Sequence, residues 1–193
     1  MSILLAVLAA VLHGTAYTIY LTQIYSGESV PNSASWSVWA FLSVLNAFSF
    51  ARASGNWLKG LQFFTGAVMC LVVFAYSLWA GHFAPLTGLG YAVLILSLIA
   101  CLIWRMTRAA YASVAVAVIL LISSVPTVTG VWQNASVEHQ LPWWLWTTAF
   151  CLTFANVLRD WDQIRKKESH PWTVATVPVS GIVLHSVVAL LAK

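Results

Sequence analysis

Seven long stretches of the chain are apolar and carry charged residues only near their ends. They cover residues 2–24, 34–52, 57–80, 84–105, 109–130, 141–158 and 171–191. A helix needs about 20 apolar residues to cross a membrane, and lipid forces its backbone polar groups to hydrogen-bond within the helix. Charged residues make up 7% of the chain, whereas a soluble domain has about a quarter. The sequence therefore predicts an all-α integral membrane protein with seven transmembrane helices.

Basic residues are concentrated in alternate connections between these helices. The connections after the second, fourth and sixth helices hold Arg52, Lys59, Arg105, Arg108, Arg159, Arg165, Lys166 and Lys167. Short connections rich in Lys and Arg stay in the cytoplasm, so we expect a cytoplasmic N-terminus and an external C-terminus. The compact chain favours the cytoplasmic (inner) membrane of a bacterium. The net charge of +4 comes from these topology signals, and we expect no nucleic-acid partner.

Two stretches of the chain match at a constant offset of 107 residues. They are SWSVWAFLSVLNAFSF (35–50) and PWWLWTTAFCLTFANV (142–157), and the matched pairs are Trp36 with Trp143, Trp39 with Trp146, Asn46 with Thr153 and Ser49 with Asn156. The third helices align at an offset of 115, which pairs Gly66 with Gly181. Such offsets are typical of an internal repeat. We predict two parallel three-helix repeats (1–82 and 108–193) joined by a linker helix (83–107), a 3+1+3 arrangement.

With this layout the chain resembles the PQ-loop and SWEET superfamily, which includes the related bacterial nicotinamide-riboside transporters. The first helix ends in YLTQIYSGESVPNSASW and the fifth in SVPTVTGVW, so Thr22-Gln23 and Pro126-Thr127 each keep half of the Pro-Gln turn. The resemblance implies two repeats around a central cavity, with hinge or gate roles for Gln23 and Pro126. Pro178 would kink the seventh helix. The asparagine that lines the sugar site in SWEET third helices is missing, and Gln62 and His185 are the nearest polar candidates.

Polar and aromatic residues at helical spacing predict the lining of that cavity. Residues three and four apart share a helix face, and ligand sites combine an apolar lining with a few polar groups. We expect Trp39 and Trp146 to stack on a solute and the side chains of Asn46, Gln62, Thr153 and Asn156 to hydrogen-bond it, with His13 and His185 as the titratable groups at depth. Glu28 and Glu138, in outer connections, indicate selection for a cation at the mouth.

Each of these assignments has a structural alternative. Tryptophans near helix ends are often lipid-interface anchors, an interpretation that applies best to Trp36 and Trp143. Asn46 and Asn156 would equally serve as hydrogen bonds between helices. The charged run 159–168 is typical of a solvated connection near lipid head groups.

The function favoured by the sequence is facilitated transport of a small polar solute, such as a nucleoside-like vitamin precursor or a sugar, by alternating access. The alternatives are a non-transporting receptor or assembly subunit, and a membrane protein with a haem held by His13 and His185. Without acidic or basic residues inside a span, downhill uniport is expected rather than proton coupling. We expect no enzyme activity, no cofactor and no metal, since Cys70, Cys101 and Cys151 have no paired spacing. A homo-oligomer or a partner membrane protein remains open.

Overall fold

The computed structural model describes residues 2–54, 56–106, 109–167 and 172–193, and these residues form α-helices and two short 3-10 turns but no β-strand. The helices are α1 (Ser2–Ser26), α2 (Ser33–Ser54), α3 (Leu61–Ala80), α4 (Gly88–Met106), α5 (Ala109–Gln133), α6 (Gln140–Arg159), α7 (Trp161–Lys167) and α8 (Trp172–Leu191). Every one of the seven predicted segments contains one long helix, with ends within four residues of the prediction. Arg108 and Glu168, assigned above to inner connections, lie outside the described residues.

Five helices are long and apolar enough to cross a membrane. These are Ile3–Ser26, Ser33–Ala51, Leu61–Ala80, Val114–Gln133 and Trp172–Leu191, and Gly88–Ile99 is a shorter apolar helix. The α6 helix is as long as these but less apolar, because its Trp, Thr and Asn side chains are mostly buried inside the protein rather than facing lipid. The molecule is thus an all-helical protein with several membrane-length helices.

Six helices pack in a closed ring. Going round it, α1 contacts α3, α3 contacts α2, α2 contacts α5, α5 contacts α8, α8 contacts α6, and α6 returns to α1. The α4 helix packs on the outside, mainly against α5 and also against α2. The first three long helices therefore form one half of the ring and the last three the other half, and the main contacts between the halves are α1 with α6 and α2 with α5.

The connections at one end of the ring are held together by backbone hydrogen bonds. They run from Val30 N to Val137 O (2.9 Å), from Ala84 N to Pro31 O (3.0 Å) and from Lys193 N to Ala135 O (3.2 Å). These bonds place the α1–α2, α3–α4 and α5–α6 connections and the C-terminus at the same end. Asn32 begins α2 there, since its side chain accepts the backbone N–H groups of Ala34 and Ser35, the usual role of an N-cap asparagine.

The charged segment after α6 is more ordered than its composition predicts. Instead of a solvated connection, Trp161–Lys167 forms the short helix α7, and Ile164 is buried. Trp161 and Ile164 are three residues apart, so they share a face that packs against Val157 and Val174. Apolar spacing within a charged run thus decides which side of the segment is buried.

Candidate functional site: an aromatic cavity inside the helix ring

A cavity of about 70 Å³ (the volume that the centre of a water molecule can reach) lies inside the ring of helices. All six ring helices line it, whereas α4 contributes none of its lining residues. The aromatic side chains on its wall are Tyr17, Trp36, Trp39, Phe63, Trp143, Trp146 and Phe150. The cavity is therefore an aromatic box between the two halves of the ring.

The two Trp-x-x-Trp motifs meet at this cavity. The ring centroids of Trp36 and Trp146 lie 6.5 Å apart, and those of Trp39 and Trp143 lie 6.3 Å apart. Adding 107 to one member of each pair and subtracting it from the other converts the first pair into the second. All four indoles are buried, with Trp36 at 1% and Trp143 at 0% exposure. The interpretation of Trp36 and Trp143 as lipid anchors is therefore wrong, because both side chains point into the ring of helices.

The polar atoms of the motif residues differ in whether they have partners. The Trp39 indole N–H donates to Ser123 Oγ on α5 (2.9 Å), which ties the two halves together. The indole N–H of Trp146 and the side-chain oxygen of Asn46 are buried without a hydrogen-bond partner, and both residues line the cavity. Buried polar groups are rarely left unpaired, so one donor and one acceptor on this wall are available to a bound molecule.

A chain of hydrogen bonds joins three of the predicted site residues. The Gln62 amide N–H donates to His13 Nδ1 (3.2 Å), and Thr153 Oγ1 donates to Gln62 Oε1. Because His13 Nδ1 accepts, the proton of the neutral ring is on Nε2, which faces Gly66. A Cβ at Gly66 would lie 2.8 Å from that nitrogen. His13 lines the cavity, whereas Gln62 and Thr153 hold it from behind.

His185 reaches the cavity from the other half. Its Nδ1–H donates to the Gly181 carbonyl oxygen (2.6 Å), which leaves Nε2 as the free nitrogen. The imidazole stacks on Phe150 at a centroid distance of 5.1 Å, and the same phenyl ring meets His13 edge-on at 5.4 Å. Phe150 therefore contacts both histidines, a geometry that argues against both of them ligating a single haem.

The remaining predicted residues lie away from the cavity wall. Asn156 is buried on α6 but is not a lining residue. Gln23 ends α1: its backbone carbonyl accepts two N–H groups from the following turn, and its side chain accepts the Ser29 hydroxyl. Pro126 and Pro178 are buried within α5 and α8, and their hinge roles remain predictions.

Glu138 is a buried carboxylate that sequence analysis placed in an outer connection. It is 1% exposed. Its oxygens accept the Tyr20 hydroxyl (2.8 Å) and the Trp143 indole N–H (3.2 Å). Burial raises the pKa of Glu138 to about 8, and the hydrogen bonds from Tyr20 and Trp143 act in the opposite direction. No local signal marks this glutamate, because its donors come from a distant helix and from the next turn.

Among the described residues, no group of three or more His, Cys, Asp or Glu side chains has the arrangement of a metal site. Cys70 is buried, Cys101 is half-buried and Cys151 is exposed, and all three are free thiols.

Comparisons with protein-family models, with curated proteins and with solved structures found no match for this chain.

Proposed function

We propose that this chain is a small facilitative membrane transporter, in which a small polar solute binds in the aromatic cavity and crosses by alternating access. The observation that carries the proposal is the pair of unpaired polar atoms on the cavity wall, the Trp146 N–H and the Asn46 oxygen. A buried polar group without a partner costs about 1–3 kcal/mol, so a solute that bonds both atoms would recover that cost.

The proposed architecture is two parallel three-helix repeats joined by α4. Two features support it. The helix contacts follow the same order in both halves, with α3 between α1 and α2, and α8 between α5 and α6. The Trp36–Trp146 and Trp39–Trp143 distances agree within 0.2 Å, from 6.5 and 6.3 Å. Equivalent contacts are expected where two similar units surround one axis, and rocking of one unit against the other would open the cavity to either side.

The volume of the cavity fits an occluded conformation. At about 70 Å³ it is roughly half of the ~150 Å³ of an engineered cavity that binds benzene. A nucleoside or a sugar would need the halves to separate, whereas a compact solute would fit with little movement. The sequence argument for uniport assumed that no carboxylate is buried near the site, and Glu138 removes that assumption.

In the proposed topology the N-terminus is cytoplasmic and the C-terminus external, in a bacterial inner membrane. The supporting observation is that the three connections poor in basic residues lie at one end together with the C-terminus. Arg159, Arg165 and Lys166 follow α6, at the opposite end of that helix. This separation is what the positive-inside rule requires.

Removal of the unpaired indole donor tests the proposal. Purified protein is screened by thermal shift against small polar solutes, since a ligand of the folded state raises the unfolding temperature, and hits are followed by uptake into proteoliposomes. Trp146→Phe keeps an aromatic ring and loses the N–H, so it should bind the solute about tenfold more weakly. Asn46→Leu should have a similar effect.

Trp144→Phe is the matched control, because Trp144 is on the same helix but is 40% exposed. If Trp146→Phe and Asn46→Leu both bind and move the solute like the wild type, the cavity is not the transport site. If no compound stabilises the wild-type protein, the alternative of a receptor or assembly subunit on this fold gains support.

A further inference from the structure

Glu138 is buried in the structure without a positive partner. Both oxygens accept hydrogen bonds only from neutral donors, Tyr20 and Trp143. The ion pair recorded among the described residues, between Arg159 and Asp160, does not involve it. An unpaired buried carboxylate is costly unless it is protonated or gains a cation nearby. The site therefore favours positive charge close to Glu138.

The carboxyl group lies directly behind the cavity wall. Trp143 donates its indole N–H to Glu138 and also lines the cavity. Tyr20, the second donor, stacks on Trp36 at a centroid distance of 5.1 Å, and Trp36 is another lining residue. One aromatic ring thus separates the carboxyl group from the space inside, a distance over which charges interact appreciably in a low-dielectric interior.

The wall itself is suited to a cation. Its lining residues include no Lys or Arg, and most of its area comes from indole, phenol and phenyl rings. The faces of aromatic rings attract cations, and cages of such rings bind quaternary ammonium groups. The unpaired Asn46 oxygen adds one further acceptor.

We propose that the solute of this cavity is a compact organic cation of the ammonium class, held by the Trp36, Trp143 and Trp146 rings with Glu138 as its counter-charge. This proposal rests on the proposed transport function and narrows its substrate class. A trimethylammonium group is compact, which suits a cavity of about 70 Å³, whereas a neutral sugar would leave the carboxylate without a partner.

Cation binding would then compete with a proton for Glu138. The titratable and charged groups on the surrounding elements are Tyr17 and Tyr20 on α1, Cys70 on α3, His185 on α8, the neighbouring His139, and the exposed Glu28 and Lys193 at the same end. Because burial raises the pKa of Glu138 to about 8, the empty site holds a proton near neutral pH. Binding of the cation would release that proton to water, so affinity should rise with pH.

The test compares choline with its uncharged isostere 3,3-dimethylbutan-1-ol, using the full chain in a maltoside detergent, which contains no ammonium group. Thermal shift and calorimetric titration are run with the wild type, Glu138→Gln and Glu28→Gln. Choline should bind the wild type about tenfold or more tightly than the alcohol. Its affinity should rise about tenfold between roughly pH 7 and pH 9, as the free carboxyl group loses its proton.

Glu138→Gln should lose the preference for choline and the pH dependence, while Glu28→Gln, which removes an exposed charge at the same end, should keep both. The proposal is overturned if the alcohol binds as well as choline, if Glu138→Gln binds choline like the wild type, or if neither compound binds. In each of these cases the Trp146→Phe and Asn46→Leu uptake comparison still decides the transport function separately.

Discussion

At the level of single residues, two glycines set the shape of the cavity. A Cβ at Gly66 would lie 2.8 Å from His13 Nε2, and a Cβ at Gly181 would lie 2.6 Å from the Phe150 ring. Both glycines line the cavity. They allow His13 and Phe150 to approach the backbones of α3 and α8, which brings the polar and aromatic wall groups close together.

We predict that Gly66→Ala and Gly181→Ala each destabilise the protein by about 1–3 kcal/mol, because the added methyl group overpacks a filled site. The measurement is the thermal unfolding temperature in detergent. Gly130→Ala is the control: Gly130 lies within α5 with nothing within 4 Å of an added Cβ, so it should be neutral or gain up to about 1 kcal/mol of helix propensity. Equal unfolding temperatures for all three variants would contradict the close contacts.

Glu138 gives a second prediction at this scale. Its pKa is about 8 in the folded protein, whereas the ordinary value for a glutamate side chain is 4.5. The folded state therefore binds the proton more tightly than the unfolded chain does. The free energy of unfolding should be highest below about pH 4.5 and fall by a few kcal/mol as the pH rises towards about 8, then level off.

Unfolding temperatures across this pH range, compared between the wild type and Glu138→Gln, measure that effect. The variant should lose most of the decline, and Glu28→Gln should retain it because Glu28 is exposed. A decline of the same size in Glu138→Gln would assign the pH dependence to another group.

At the level of elements, α3 connects the two halves of the ring through one side chain. Gln62 is fully buried and bonds His13 on α1 and Thr153 on α6. Similarly, Trp39 on α2 bonds Ser123 on α5, three residues before Pro126. Polar side chains thus join the halves on both sides of the cavity, and any opening movement has to break one of these connections.

We predict energetic coupling between Gln62 and Thr153. Gln62→Leu and Thr153→Val should each cost about 1–3 kcal/mol, because each leaves a buried polar group unpaired. The double variant should cost less than the sum by about 0.5–3 kcal/mol. Denaturation in mixed micelles provides the free energies. Thr148→Val is the control on the same helix, since Thr148 is exposed and its hydroxyl bonds only its own helix; additive costs for Gln62 and Thr153 would mean that their bond contributes nothing.

At the level of the whole molecule, the distribution of charge and the packing of the connections support the same topology. The connections that hold the C-terminus and the start of α6 are joined by backbone bonds at one end. Exposed tryptophans at that end, Trp79 and Trp132, are typical of a lipid–water interface.

We predict an external C-terminus. In a bacterial host, alkaline phosphatase fused after Lys193 should be active and a green fluorescent protein at the same place should not fluoresce. Fusions after Lys166 should behave in the opposite way, because that segment follows the basic end of α6. A fluorescent fusion after Lys193 would place both termini on the same side and contradict an odd number of spans.

The sequence by itself determined the membrane class, the seven helical segments to within a few residues, and the pairing of the two Trp-x-x-Trp motifs. These features follow from local hydrophobicity, which acts on each stretch separately, and from spacing along the chain. The contact of both motifs at one cavity agrees with the pairing, and Trp39, Trp146, Asn46, His13 and His185 are all on its wall.

Only the tertiary structure decided which helix faces meet. It turned Trp36 and Trp143 inward, placed Gln62 and Thr153 behind His13, and buried Glu138 between Tyr20 and Trp143. Tyr20 and Glu138 are 118 residues apart, so no local pattern contains their hydrogen bond. The charge state of that carboxyl group, and with it the kind of solute that we propose, depends on burial created by the assembled ring of helices.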